Sequence, residues 1–175
     1  MSLRFAILGL LAREPLTGYD LRKQFQSSVN FFWSAKHSQI YPELAALSRE
    51  KLVTFEVVQQ SAKPSKKVYS ITAEGRSALE SWVAADLEPK SMRDTLVMKV
   101  WTLGVIEPTL ALSSLRQYAS ELETRQEHLK NLAASLNENN QNPLHHVGPR
   151  LALELGQQQC ELYQRWLQQT IEQLG

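Results

Sequence analysis

The chain has 175 residues, and its length and near-average composition allow one large domain or two small ones. Its hydrophobic fraction of 43% is ordinary for a globular protein, no apolar run approaches the roughly 18 residues of a membrane span, and we expect no signal peptide. The single cysteine, Cys160, excludes an intrachain disulfide and a cysteine-rich zinc site, so a cytoplasmic protein is the simplest interpretation.

The net charge of +1 conceals an uneven distribution along the chain. Residues 1–84 carry 11 Lys+Arg and 7 Asp+Glu residues, a charge of +4, whereas residues 85–175 carry 8 and 11, a charge of −3. A basic half joined to an acidic half indicates that the first part meets a polyanion and the second does not.

Three helices are predicted at the start of the chain. Apolar residues at helical spacing predict the first over 3–11, and the Thr17 hydroxyl is placed to cap the second. Ser38 is placed to cap the third, which ends near Arg49, buries Ile40, Leu44 and Leu47, and has Pro42 near its first turn.

A β-hairpin and a fourth helix follow. Strict alternation of apolar and polar residues predicts half-buried strands at 53–57 and 67–71, joined by a turn rich in lysine and serine. Thr72 is placed to cap the next helix. Three helices, a two-stranded wing and a helix are the order of a winged helix-turn-helix domain, which we assign to residues 1–86.

The second half, residues 91–175, is predicted to be a helical dimerisation domain, so the fold class is mainly α. Ser91 and Asp94 form a variant capping box before a helix that we expect to be buried on more than one side. Pro108 and Pro149 are predicted to open two long antiparallel helices with coiled-coil-like seams. The predicted apolar side of the last helix comprises Leu151, Leu155, Leu162, Trp166 and Ile171.

The third helix, Ser38 to Arg49, is the predicted reader of double-stranded DNA. The major groove is about 12 Å wide and admits one helix, and lysines at the wing tip suit phosphate contacts, which need charge more than fixed geometry. The predicted contacts are Lys36, His37, Ser38, Gln39, Tyr41, Lys63, Ser65, Lys66 and Lys67.

Three segments resemble PadR-family transcriptional regulators: LGLLAREPLTGYDLRK at 8–23, QIYPELAAL at 39–47 and KVYSITAEG at 67–75. The resemblance implies a dimeric repressor with a winged helix and a helical dimer arm. It also implies that Tyr41, Lys66 and Lys67 contact DNA, and that some members release DNA on binding small aromatic or hydrophobic molecules. Tyr19 matches the family's Gly-Tyr pair, either as a DNA contact or as a packing residue between helices.

One position departs from the family pattern. Members often have a Gly-Leu pair between the third helix and the first wing strand, where this chain has Lys51-Leu52. If that position requires a positive φ, lysine costs on the order of 1 kcal/mol relative to glycine. The extra lysine is also a candidate phosphate contact.

A homodimer on a palindromic operator is expected, because two reader helices about 34 Å apart give the affinity that one lacks. The tryptophans 82, 101 and 166 suggest an effector site, since flat aromatic molecules stack between indole rings. Trp101, with Met98, is the predicted effector contact, and the alternative is that all three are core or interface residues. No cofactor is predicted.

Two other classes of protein are alternatives. The first is an enzyme, since Ser48-x-x-Lys51 has the spacing of serine acylases, but the Ser-Asp-Asn and Lys-Thr-Gly segments that accompany it in those enzymes do not occur in the sequence. His145 and His146 could bind a metal, but adjacent side chains are poorly placed to share one. The second alternative is a winged-helix protein-interaction module that does not bind DNA.

Overall fold

The computed structural model describes residues 2–29, 31–32, 37–59, 65–87, 93–107, 109–138 and 143–175. These residues are mainly helical with one small antiparallel sheet, which confirms the predicted fold class. The chain divides into two compact units, Met1–Leu87 and Glu88–Gly175. In the described part of the chain, no helix combines the length and the hydropathy needed to cross a bilayer.

The first unit is a winged helix. Its elements are α1 (Ser2–Leu11), β1 (Leu16–Thr17), α2 (Gly18–Gln24), α3 (His37–Arg49), β2 (Val53–Val58), β3 (Lys66–Ile71) and α4 (Ala73–Ala84). Both predicted threonine caps are confirmed, because the Asp20 N–H donates to Thr17 Oγ1 at 3.1 Å and the Gly75 N–H donates to Thr72 Oγ1 at 3.0 Å. Helix α2 continues into a π-helical turn, Phe25–Val29, that the sequence pattern did not predict.

The sheet has three strands in the order β1–β3–β2, one more than predicted. Leu16 of β1 lies opposite Tyr69 of β3, and Phe55 of β2 lies opposite Tyr69 on the other side. The prediction of half-buried strands holds for β3, where Tyr69 and Ile71 are partly buried against the core, and for Val53 at the start of β2. It is wrong for Phe55 and Val57, which are exposed.

The core of the first unit lies between α1, α2 and α3. Its fully buried side chains are Ile7, Leu8, Leu21, Phe25, Ile40, Leu44 and Leu47. The predicted apolar face of α3 is thus confirmed. On the other side of α1, the Phe5 ring stacks on Trp82 of α4 at 4.6 Å between centroids.

Helix α3 begins one residue earlier than predicted. It starts at His37, so Ser38 lies in its first turn and the prediction that Ser38 caps it is wrong. Pro42 is therefore in the second turn, where its missing N–H deprives the Ser38 carbonyl of an intrahelical bond. The helix tolerates this because Pro42 is on the exposed face.

At the end of α3, Lys51 has a φ of 61°, so this position does require the positive φ that was considered for it. The Lys51 N–H donates to the Ser48 carbonyl at 3.1 Å and the Leu52 N–H donates to the Leu47 carbonyl at 2.9 Å, the two bonds of a Schellman motif. The Thr72 hydroxyl donates to the Lys51 carbonyl at 2.7 Å and so joins this turn to the start of α4.

The second unit contains α5 (Thr95–Trp101), a 3₁₀ turn (Thr102–Gly104), α6 (Thr109–Glu138) and α7 (Pro143–Leu174). Asp94 itself caps α5 by accepting from the Leu96 and Val97 N–H groups, so the predicted earlier start of this helix is wrong. Ser91 and Pro108 are outside the described residues. Helix α7 begins at Pro143 and contains Pro149, which was predicted to open it.

Helix α5 is buried on one side within the chain, contrary to the prediction. Leu96 is buried near Leu115 and Tyr118 of α6, whereas Met98 and Trp101 are largely exposed. Because this seven-residue helix packs against α6 with one face, only that face is buried.

Helices α6 and α7 pack along a heptad seam, as coiled-coil helices do. The buried residues recur every seven positions and are Leu115, Leu122 and Leu129 in α6 and Leu153, Cys160 and Leu167 in α7. On the predicted apolar side of α7, Leu151, Leu155 and Leu162 are more than half exposed, whereas Trp166 and Ile171 are partly buried. The helix carries a second apolar stripe, with Leu153, Cys160 and Leu167, and this stripe faces α6.

Candidate nucleic-acid interface

The face of α3 opposite the core is exposed and formed mostly by small or polar side chains. The residues on it are Ser38, Pro42, Ala45 and Arg49. Small side chains allow the helix backbone to come close to a partner surface, and Gln39 is exposed beside them. Arg49 was not among the predicted contacts, although its spacing of four from Ala45 places it on this face.

An open cleft of about 600 Å³ lies between the start of α2, α3 and β3. Its lining residues are Thr17, Gly18, Tyr19, Asp20, Tyr41, Lys66, Lys67 and Tyr69. The structure therefore brings together four predicted contacts from three distant segments: Tyr19, Tyr41, Lys66 and Lys67. Two lysines and three phenol groups in one cleft suit a phosphate-bearing ligand.

Tyr41 takes its position from Gly18. A Cβ atom added to Gly18 would lie 2.7 Å from Cε1 of the Tyr41 ring, so the ring packs on the bare glycine backbone. Tyr41 is nevertheless 51% exposed, which leaves its outer edge open to the cleft. In the Gly-Tyr pair at 18–19, the glycine thus contributes by giving the Tyr41 ring room to pack.

The wing lysine Lys67 rests on an aromatic pair. Its ammonium lies 4.2 Å from the centroid of the Phe55 ring, a cation–π contact, and that ring packs on Tyr69 at 5.6 Å. Burial, and then the neighbouring Tyr41, raise the pKa of Tyr69. Tyr69 was missed as a site residue because strand alternation marked it only as inward-facing.

Tyr19 is 60% exposed and lines the cleft, which argues against the interpretation that it packs between helices. The Arg22 guanidinium carbon lies 5.2 Å from the Tyr19 ring centroid. Arg22 Nε is buried and has no hydrogen-bond partner in the described part of the chain. Arg22 therefore places beside Tyr19 an additional cation that the sequence pattern did not single out.

Ser65 is exposed just before β3 and does not line the cleft. The predicted contacts Lys36 and Lys63, and the side chain of His37, are outside the described residues.

A second open cavity, of about 570 Å³, lies beside α5. Its lining residues are Arg93, Asp94, Thr95, Val97, Met98 and Trp101, and they include both predicted effector contacts. The Tyr163 hydroxyl donates to Asp94 Oδ2 at 2.5 Å, which lowers the pKa of Asp94 and raises the pKa of Tyr163. This bond joins the cap of α5 to α7.

The Ser-x-x-Lys spacing has a structural explanation. Ser48 and Lys51 form the Schellman turn at the end of α3, through their backbones. No cluster of three or more histidine, cysteine, aspartate or glutamate residues suited to a metal occurs within the described ranges.

Three helices, a hairpin wing and a cationic cleft between them define the winged-helix class of transcriptional regulators. The family described as Transcriptional regulator PadR-like family matches residues 7–81, and the one described as Virulence activator alpha C-term matches residues 92–175. The negative transcriptional regulator PadR of Bacillus subtilis is 37% identical over 134 residues, which cover 76% of this chain and 72% of that protein. The chain belongs to the PadR family of transcriptional regulators.

The likeness extends to the three-dimensional structure over the whole chain. The crystal structure of Bacillus subtilis PadR in complex with operator DNA has a TM-score of 0.86, 29% identity and full coverage of both chains. The structure of the same protein in complex with p-coumaric acid has a TM-score of 0.81, 28% identity and 99% coverage of both chains.

Proposed function

We propose that this regulator is a repressor that binds a palindromic operator in double-stranded DNA as a homodimer and is released by a small aromatic molecule. The cleft that unites Tyr41, Lys66 and Lys67 beside the exposed face of α3 is the main support for this function. The relative from Bacillus subtilis supports it further, since that protein is a negative regulator solved with operator DNA and with p-coumaric acid. The proposed function has no catalytic step and places the chain in the cytoplasm with DNA.

In the proposed complex, the exposed face of α3 enters the major groove and the cleft receives the flanking phosphates. Ser38 and Gln39 are at the end of α3 where base edges are within reach, and Tyr41 is on the flank next to the cleft. The proposed wing contacts are Ser65, Lys66 and Lys67. Lys36, His37 and Lys63 are further proposed contacts, and their support comes from the sequence. Tyr19 contributes its hydroxyl from the cleft wall.

The salt dependence of DNA binding tests this arrangement. The probe is a duplex that the wild-type protein selects from a random-sequence pool, and the slope of log K against log salt is about −0.9 per phosphate contacted. Lys66→Ala and Lys67→Ala should each flatten the slope by about one unit. Lys99→Ala removes an exposed lysine from the second unit and should leave it unchanged. Failure to bind any duplex, or binding that ignores salt, would favour the protein-interaction module.

The proposed dimer contact uses the second unit, where the apolar stripe of Leu151, Leu155 and Leu162 on α7 lacks a partner within the described part of the chain. Contiguous apolar surface of this kind is typical of an interface. Light scattering at micromolar concentration should give twice the 19.9 kDa chain mass. Leu155→Glu should weaken the dimer, and Asn131→Glu on an exposed position of α6 should not.

The proposed effector site is the cavity beside α5. Trp101 is 80% exposed there, so an aromatic acid has access to its indole face. Titration with p-coumaric acid should quench tryptophan fluorescence and release the selected duplex. Trp101→Phe should abolish most of the quenching, whereas Trp82→Phe, which alters a ring stacked on Phe5, should retain it. Full quenching in the Trp101→Phe variant would contradict this site.

A further inference from the structure

Helix α3 is held on one flank by a single arginine of α1. Arg4 Nε donates to Glu43 Oε1 at 3.2 Å, and Arg4 Nη2 donates to Glu50 Oε1 at 2.7 Å. Glu43 is in α3 and Glu50 directly follows it, so one guanidinium spans about two turns of the helix. The Arg4 and Glu43 side chains are only 27% and 28% exposed, which shields this pair in part from solvent.

The other flank of α3 is held by the packing of Tyr41 on Gly18. Residues two apart on a helix point about 200° away from each other, so Tyr41 and Glu43 mark opposite sides of α3. Between them, the buried side chains of Ile40, Leu44 and Leu47 set which face of α3 turns to the core, through apolar contacts that are individually non-directional. The planar guanidinium fork is directional, because each N–H aims at one carboxylate.

We propose that Arg4 is a positioning residue that sets the rotation of α3 about its own axis and thereby the operator sequence that the helix reads. The residue touches no DNA in this scheme. It acts through Glu43 and Glu50, which keep Ser38, Ala45 and Arg49 facing outward. The inference rests on the proposed DNA binding by α3 and adds a determinant of its selectivity.

The test measures selectivity rather than affinity alone, with the full chain. Dissociation constants are measured for the duplex selected by the wild-type protein and for a duplex of scrambled sequence. Arg4→Met should weaken binding to the selected duplex about tenfold, comparable to one mismatched base pair, with a much smaller change for the scrambled one. Arg4→Lys should restore part of the selectivity, because an ammonium is a point charge without the fork geometry. Arg76→Met, a matched loss of charge on an exposed position of α4, should leave the ratio unchanged.

A second variant separates positioning from charge and from folding. Glu43→Ala with Glu50→Ala removes both acceptors of the same contacts but raises the net charge by two, whereas Arg4→Met lowers it by one. Both should lose selectivity, although general affinity for DNA should move in opposite directions. All measurements are made at temperatures where circular dichroism shows each variant folded.

The outcomes are distinct. Equal weakening on both duplexes with Arg4→Met, or an unchanged ratio in the alanine double variant, overturns the positioning role. A wild-type protein that selects no sequence from the pool refutes the proposed function itself, before any variant is compared.

Discussion

Replacing Lys51 with glycine should stabilise the first unit. The residue has φ 61°, in the left-handed region where a Cβ atom costs about 1–2 kcal/mol. The substitution sacrifices little, because the side chain is exposed and the two Schellman bonds use only backbone atoms. Glycine's greater freedom in the unfolded chain offsets part of the gain. We expect a net stabilisation of about 1 kcal/mol.

Urea unfolding of the full chain measures this effect. The fluorescence of Trp82, stacked on Phe5, reports on the first unit, and the midpoint should rise at an unchanged slope. In a thermal scan, about 1 kcal/mol corresponds to roughly 4–8 °C if the unit unfolds on its own.

Lys51→Ala is the matched control, because it removes the ammonium but keeps the Cβ atom. Its stability should stay within about 0.5 kcal/mol of the wild type. If the alanine and glycine variants are equally stable, the left-handed backbone at residue 51 is not the source of the strain, and the reasoning fails.

Two further predictions concern other junctions. Gly75→Ala would place a Cβ atom 2.0 Å from the Leu52 carbonyl oxygen, a backbone atom that cannot turn aside, so the urea midpoint should fall by the equivalent of about 3 kcal/mol; a loss below about 1 kcal/mol would show that α4 can shift. Tyr163→Phe removes the hydrogen bond from Tyr163 to Asp94. In the folded protein this bond lowers the pKa of Asp94 and raises the pKa of Tyr163. It therefore stabilises the fold in full between the ordinary pKa values of the two groups, 3.8 and 10.0. The melting temperature of Tyr163→Phe should therefore lie below that of the wild type at neutral pH, and this difference should shrink as the pH falls below about 4; a difference independent of pH would contradict the assignment.

The winged helix was largely predictable because each of its signals is local. Thr17 and Thr72 cap helices as their neighbours in sequence indicate, and the change from helical to alternating spacing locates the wing. Strand β1 escaped prediction because two residues, Leu16 and Thr17, carry no period. Likewise, the cleft depends on β3 pairing with β1, a contact between residues some fifty positions apart that spacing does not encode.

The second unit was less predictable because its helices have more than one apolar face. In α7, Leu155 and Cys160 belong to different stripes, and the periodicity of each is equally helical. Only packing decides which stripe faces α6, and there Cys160 lines the same cavity as Leu122 while Leu155 remains outside. The exposure of Trp101 follows from the same cause, because an apolar face marks burial only where a partner element covers it.

The seven-residue spacing in both long helices also constrains how this arm can change in length. An insertion of one residue in α6 would rotate everything beyond it by about 100° and move the leucines out of the seam. A change of seven residues in both helices would preserve the seam and lengthen the arm by about 10 Å. Relatives of this chain should therefore differ in arm length by whole heptads, with one heptad added to each helix on either side of the turn.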